Sequence, residues 1–301
     1  MNFVVFQVTA TPDPLPGPER DENGNGSLII HNSSCFAPAY PDYPFTDKFA
    51  PGYPSVAPRY HICNSCHGEN DPCASFYYKG VYHYFYQEHD TGGISGGHVI
   101  SRDLVTWQEL RPALWSSEWF ISAAVWDFSA TIVDGVPTIM AAGVVAPEIM
   151  LKRSLTSNFC HVLAVPSDTN DPALEEWTYP ADRDPALCGT KANGLRPGDS
   201  PSNTWRTSTG EYRYVDSYGF VYTSMDFVRW RGAANASASP VGSSFPTGCC
   251  QDLYALPPPC NGCDGPYLGS GSPKLPTHIW SGWPMGTPGK YELIIYHEGV
   301  H

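Results

Sequence analysis

Short runs of aromatic and β-branched residues, broken by turn pairs, pattern this chain; the three-to-four spacing of a convincing amphipathic helix is absent. Ser75–Tyr78 and Val81–Gln87 flank Lys79-Gly80, which predicts strand, turn and strand. Phe128–Val133 and Val136–Ala141 repeat the design around Asp134-Gly135, the strongest short hairpin signal. Arg206–Ser208 and Glu211–Asp216 form a third pair around Thr209-Gly210, and Tyr291–His297 reads as a further strand.

A heptapeptide recurs. Ser101-Arg102-Asp103-Leu104-Val105-Thr106-Trp107 returns as Ser224-Met225-Asp226-Phe227-Val228-Arg229-Trp230, with a weaker echo at Leu174-Glu175-Glu176-Trp177. The intervals match a propeller blade with long loops, although one common turn type would also repeat in this way. Hairpins plus the recurring unit predict an all-β fold, a β-propeller whose radial sheets protect their edges. Residues 1–57 differ: Pro-Asp-Pro-Leu-Pro-Gly-Pro and Ala-Tyr-Pro-Asp-Tyr-Pro carry no periodicity, so this stretch reads as an extended Pro/Gly-rich arm.

Composition supports that picture. Thirty Pro and 28 Gly in 301 residues interrupt helices, while 13% aromatics favour pleated, half-buried surfaces. At 42% apolar the chain can build a core, yet no stretch approaches the ~18–20 consecutive apolar residues of a spanning helix. Seventeen basic against thirty acidic residues leave a net charge of -13, a field that repels nucleic acid and anionic membrane and suits a neutral substrate.

Ten cysteines and glycosylation sequons starting at Asn25, Asn32 and Asn235 point to an oxidising, extracellular or secretory setting. Met1–Ala10 holds an apolar run but no basic n-region of a signal peptide. Cys63-Asn64-Ser65-Cys66-His67 and Cys260-Asn261-Gly262-Cys263 read as disulfide-forming pairs. Zinc ligation and, for the first, haem attachment are the alternatives, and they would make this a metal or redox protein. Asn70-Asp71-Pro72 is a good turn sequence. At the start of an inner propeller strand, its carboxylate would point into the central funnel.

From about Arg59 to His301 the sequence resembles glycoside hydrolase family 32, the invertases and fructan hydrolases. Tyr60-His61 followed by Asn70-Asp71-Pro72 resembles that family's Asn-Asp-Pro-Asn-Gly signature, and Tyr82-His83-Tyr84-Phe85-Tyr86-Gln87 its Tyr-His-x-Phe-Tyr-Gln strand. Gly97–Trp107 is similar to the segment closing its first blade. Trp126-Asp127-Phe128-Ser129-Ala130 resembles its Trp/Phe-Ser-Gly-Ser-Ala motif, and Asp199-Ser200-Pro201 its Arg-Asp-Pro motif with one residue inserted.

The resemblance implies a five-bladed β-propeller type, here about four blades over residues 58–301 and incomplete at its C-terminal side. It implies Asp71 as nucleophile and Asp199 as a transition-state stabiliser. Asn70, Gln87, Asp127 and Ser129 would line the sugar site. Sucrose or a fructan is the implied substrate, with no cofactor and no metal required.

The departures carry weight too. Cys249 of Cys249-Cys250-Gln251-Asp252 falls where the family's Glu-Cys-Pro-Asp motif places its general acid. Cys73-Ala74 replaces Asn-Gly, and Arg196 stands three residues before Asp199. Retaining hydrolysis needs a nucleophile and a proton donor ~5–5.5 Å apart, and a thiol with reference pKa ~8.5 is a weak donor. Glu69, Asp252 and Glu292 are the candidates for a replacement carboxyl. A sugar-binding propeller without turnover is therefore the competing expectation.

Overall fold

The computed structural model describes residues 62, 68–90, 93–182, 184–207 and 209–232, together with strand backbone at 248–255, 277–284 and 292–297. The arm over 1–57, the three sequons and both Cys-x-x-Cys pairs lie outside these residues.

Four antiparallel sheets follow one another along the chain. The first is β1 (Gly68–Tyr78), β2 (Val81–Asp90), β3 (Gly93–Ser101) and β4 (Trp107–Leu114), paired in that order. The second is β5 (Ala124–Val133), β6 (Val136–Val144), β7 (Leu155–Pro166) and β8 (Trp177–Thr178), with β9 (Leu187–Thr190) also on β7. The third is β10 (Trp205–Arg206), β11 (Tyr212–Val215), β12 (Val221–Ser224) and β13 (Arg231–Gly232). β14 (Gly248–Ala255), β15 (Thr277–Pro284) and β16 (Glu292–His297) form the last. This is the expected β-propeller architecture, built of up-and-down blades. One short helix, α1 (Pro147–Lys152), is too brief to leave a periodic signature and was not expected. Among the described residues no helix is long and apolar enough to cross a membrane.

The turn chemistry predicted from sequence is present. Lys79-Gly80 (φ 46° and 86°) and Asp134-Gly135 (φ 49° and 83°) put both central residues at positive φ, the hairpin turn whose twist matches the strands. Gly210 (φ 87°) closes the third hairpin, its amide bonding Thr207 O at 2.9 Å.

Radial packing follows from strand alternation. Successive side chains on β6 and β7 face opposite sides. Ile139 and Val162 join one buried cluster with Phe85, Leu114 and Phe128; Met140 and Leu163 join another with Tyr214, Tyr222 and Trp230. The second blade is thereby clamped between the first and third. Each fully buried Leu, Ile or Phe contributes ~1.5–3 kcal/mol, so these two seams hold the blades together. A disulfide, Cys160–Cys188, ties β7 to β9.

The repeated heptapeptide marks the connection from third to fourth strand of a blade. Ser101 and Ser224 each hydrogen-bond the Asp two residues on, and Asp103 and Asp226 each accept two following backbone amides at 2.7–3.0 Å. Leu104, Leu174 and Phe227 occupy the same left-handed position (φ 63°, 47° and 61°). Trp177 and Trp230, three residues later, donate their indole N–H back to Leu174 O and Phe227 O. The two readings of the repeat therefore converge: it is one turn type, used at one place in each of the first three blades.

Candidate active site

The first strands of the blades lie toward one another, β1 alongside β5 and approaching β14. Each of these three strands carries a one-residue bulge at the position of a sequence motif. On β1 the register jumps twice, between Glu69↔Glu88 and Pro72↔Tyr86 and again between Pro72↔Tyr86 and Ser75↔Tyr84. On β5 it jumps between Val125↔Gly143 and Phe128↔Ala141, and on β14 between Cys249↔Trp283 and Asp252↔Ser281. A bulge bends its strand and re-aims the side chains within it. Pro72, with no N–H to offer a ladder, marks the first. The turn expected at Asn70-Asp71-Pro72 is thus a correction: these residues sit inside β1, in its bulge, rather than ahead of the strand.

The bulges of β1 and β5 bring Asp71 and Asp127 together with Asp199, from the loop before β10. Asp127 and Asp71 both lie within electrostatic reach of Asp199, and all three carboxyls within reach of Cys73. A hydrogen-bonded chain runs through two of them, Asp127 and Asp199. Exposed Asn70 donates Nδ2 to Gln87 Oε1 at 2.9 Å, and Gln87 donates Nε2 to Asp127 Oδ1 at 2.5 Å. Ser200 donates Oγ to the other oxygen, Asp127 Oδ2, at 2.5 Å, and its amide to Asp199 Oδ1 at 2.7 Å.

This wiring sorts the charges. Buried Asp127 has both oxygens engaged by donors, an arrangement that favours its ionised form. Burial and then the Asp127 charge push Asp199 up to about 7, against amide hydrogen bonds from Ser200 and Asp127 that pull it down. Asp71 is half-buried, and no described side chain hydrogen-bonds its carboxylate. Burial, followed by the Asp127, Asp71 and Asp199 charges, pushes the Cys73 thiol well above its ordinary value, so it stays protonated and unreactive.

Asn70, Gln87, Asp127 and Asp199 are therefore joined through Ser200 in one hydrogen-bonded chain, and Asp71 acts electrostatically on its Asp199 end. Ser129 is adjacent but turned to a structural partner, donating Oγ to Ser202 O at 2.8 Å. Arg196 is exposed, and the residue directly before Asp199 is Gly198. Cys249 lies on β14 opposite Trp283, immediately before the bulge. Glu69 is exposed on β1; Asp252 and Glu292 lie on β14 and β16. Sequence reasoning missed the bridging role of Ser200 and the placement of Cys73, although the inserted residue after Asp199 was the signal for the first.

The sequence matches the model for the glycosyl hydrolases family 32 N-terminal domain over residues 61–261. The chain belongs to glycosyl hydrolase family 32. It is 34% identical over 254 residues to the beta-fructofuranosidase, insoluble isoenzyme CWINV4, of Arabidopsis thaliana, covering 78% of this chain and 41% of that protein. It is 33% identical over 247 residues to the cell wall isozyme of beta-fructofuranosidase from Zea mays, covering 77% and 39%. Among solved structures it is similar to fructan 1-exohydrolase IIa from Cichorium intybus, with 29% identity and a TM-score of 0.60 over 78% of this chain and 43% of that one. The same enzyme in complex with 1-kestose matches at 28% identity and a TM-score of 0.59, with the same coverage. The chain spans about two fifths of the length of these curated relatives. Against the motifs of family 32, Asp127 stands at a serine position and Gly198 at an arginine position.

Proposed function

We propose that this chain carries the fructosyl-transferring centre of a β-fructofuranosidase-type glycoside hydrolase acting on sucrose or a fructan. The observation that carries the reading is the convergence of Asp71, Asp127 and Asp199 from two bulged strands and one loop. In this reading the Asp71 carboxylate attacks the anomeric carbon as the glycosidic C–O bond breaks, and the departing oxygen takes a proton from solvent water. Water then cleaves the covalent fructosyl ester to free Asp71 with overall retention. Ionised Asp127 and Asp199 favour the oxocarbenium-like transition state electrostatically, and Asn70 and Gln87 orient the sugar. The relatives' names support the substrate class, and the words insoluble and cell wall in those names support an extracellular setting.

Cys249 favours a second reading, a sugar-binding propeller without turnover. A thiol at the position of the proton donor deprives the departing oxygen of general acid help, typically ~10²–10⁴ in rate. One experiment separates the two. Fructose release is measured from sucrose, from a fructan and from an activated aryl fructoside whose leaving group needs no proton. The hydrolase reading predicts release that disappears in Asp71→Asn, with the activated substrate favoured by ~10² or more. Sugar binding with no release from any of the three establishes the binding propeller instead.

A further inference from the structure

Directly behind Asp199 lies a buried polar network that the reaction above does not use. Gly198, the residue preceding Asp199, is gripped on both sides of its backbone. Asp216 Oδ2 accepts its N–H at 2.8 Å, and His161 Nε2 lies 2.8 Å from its carbonyl oxygen. Since a carbonyl can only accept, His161 carries its proton on Nε2, and its Nδ1 accepts from Tyr214 OH at 2.7 Å. His161 and Asp216 are both fully buried. Asp216 also accepts Tyr222 OH on Oδ2 and the amides of Tyr218 and Phe220 on Oδ1. The Ser217 amide completes the hold, bonding Asp199 O at 2.8 Å. A Cβ added at Gly198 would lie 2.7 Å from Tyr218 Cδ2 and 2.8 Å from Ser217 Oγ, so the grip requires glycine there.

We propose that Asp216 and His161 are positioning residues that clamp the Gly198 peptide and thereby fix the Asp199 carboxyl against Asp71 and Asp127. The proposal rests on the fructosidase reading for its purpose but not for its geometry. Arginine occupies the Gly198 position in the family motif that Asp199 resembles; here the residue has no side chain and is held by two contacts to its backbone. The clamp is also sensitive to pH. Burial raises Asp216 to about 6, against hydrogen bonds from Gly198, Tyr222, Phe220 and Tyr218, while burial lowers His161 to about 4 and keeps it neutral. Among the described residues, the titratable groups shown acting on Asp216 include Tyr222 and Tyr214, and His161 meets it across Gly198. As pH falls through about 6, Asp216 gains a proton and its hold on the Gly198 amide weakens.

Asp216→Asn is the selective probe. Its remaining oxygen can keep the Tyr218 and Phe220 amides, while its NH₂ group faces the Gly198 N–H and cannot accept from it. The Asp199 carboxyl is followed by carbon-13 NMR titration, assigned with Asp199→Asn. The midpoint near 7 should fall by ~1 pH unit or more in Asp216→Asn as water reaches the carboxyl. Asp226→Ala, which loosens the same blade at its rim, should leave that midpoint in place. With an active chain, Asp216→Asn should lower kcat by ~10-fold or more with little change in KM, the signature of misplacement rather than lost binding. An unmoved midpoint in Asp216→Asn, or an equal shift in Asp226→Ala, overturns the proposal. Should Asp216→Asn not fold, hydrogen exchange in the unmutated chain decides. The Gly198 amide must be protected at pH 8 and lose protection below about 6, and an unprotected amide at pH 8 refutes the clamp. The titration needs no turnover, so an inactive wild type would sink the functional reading and leave the clamp standing.

Discussion

Aspartates at the blade rims and aspartates at the centre of this propeller titrate in opposite directions. At the rim, Asp103 is exposed and is held down to about 2 by the amides of Thr106 and Val105, with Ser101 and Thr106 hydroxyls adding to the effect. Asp226 shows the same lowering in the third blade, led by the Arg229 and Val228 amides. At the centre, Asp199 and Asp216 are raised to about 7 and about 6, first by burial. The amide donors are similar in both places, since Asp216 accepts three of them. Burial decides the sign, and at Asp199 the neighbouring Asp127 and Asp71 charges add to it. The rim uses charge to shape a turn; the centre keeps carboxyls where their charge is costly, the environment the proposed reaction calls for.

The largest expected effect breaks the centre outright. Asp71→Asn should reduce fructose release by ~10³-fold or more, because an amide cannot form the ester; steady-state rates on the activated fructoside check this. Next comes the coupling. Asp127→Asn removes the strongest charge acting on Asp199, so the Asp199 midpoint should drop from about 7 toward the ordinary carboxylate range. Ionised Asp199 favours a positively charged transition state, so the limb of the pH–rate profile that rises near pH 7 should move to lower pH in that variant. A limb that stays in place would separate Asp127 from the titration.

The smallest effect lies at the rim, and its sign is opposite. A carboxyl whose folded pKa is raised, such as Asp199, contributes stability that is complete below its ordinary value of 3.8 and is lost as pH rises through about 7. A lowered one, such as Asp103, contributes stability present above 3.8 that is lost as pH falls through about 2. Asp103→Ala should therefore lower the melting temperature slightly at neutral pH, with the difference from wild type closing in acid. Thermal melts at pH 7 and at pH 2–3 check it.

Much of this arrangement was written locally in the chain. Lys79-Gly80 and Asp134-Gly135 specify their turns because two adjacent residues alone decide whether positive φ is accessible. The heptapeptide encodes its own Asp-centred turn within seven residues, so it reads the same wherever it occurs. The bulges on β1, β5 and β14 were not legible. An extra residue exists only relative to a partner strand, and nothing in Val125-Trp126-Asp127-Phe128 announces that its register will slip. The motif resemblance found Asp71, Asp127 and Asp199 but not the wiring among them, which passes through Ser200. His161 and Asp216 were invisible for a related reason. They read as ordinary residues in or beside strands of different blades and meet through the backbone of Gly198 and the ring of Tyr222.

The most direct test of the central claim is chemical. The chain is mixed with an activated fructoside, quenched rapidly in acid, digested, and mapped by peptide mass. The account predicts a fructosyl ester on the peptide of β1 that carries Asp71, absent from Asp71→Asn. An ester on another carboxylate, or continued turnover with Asp71 unmodified, would contradict it.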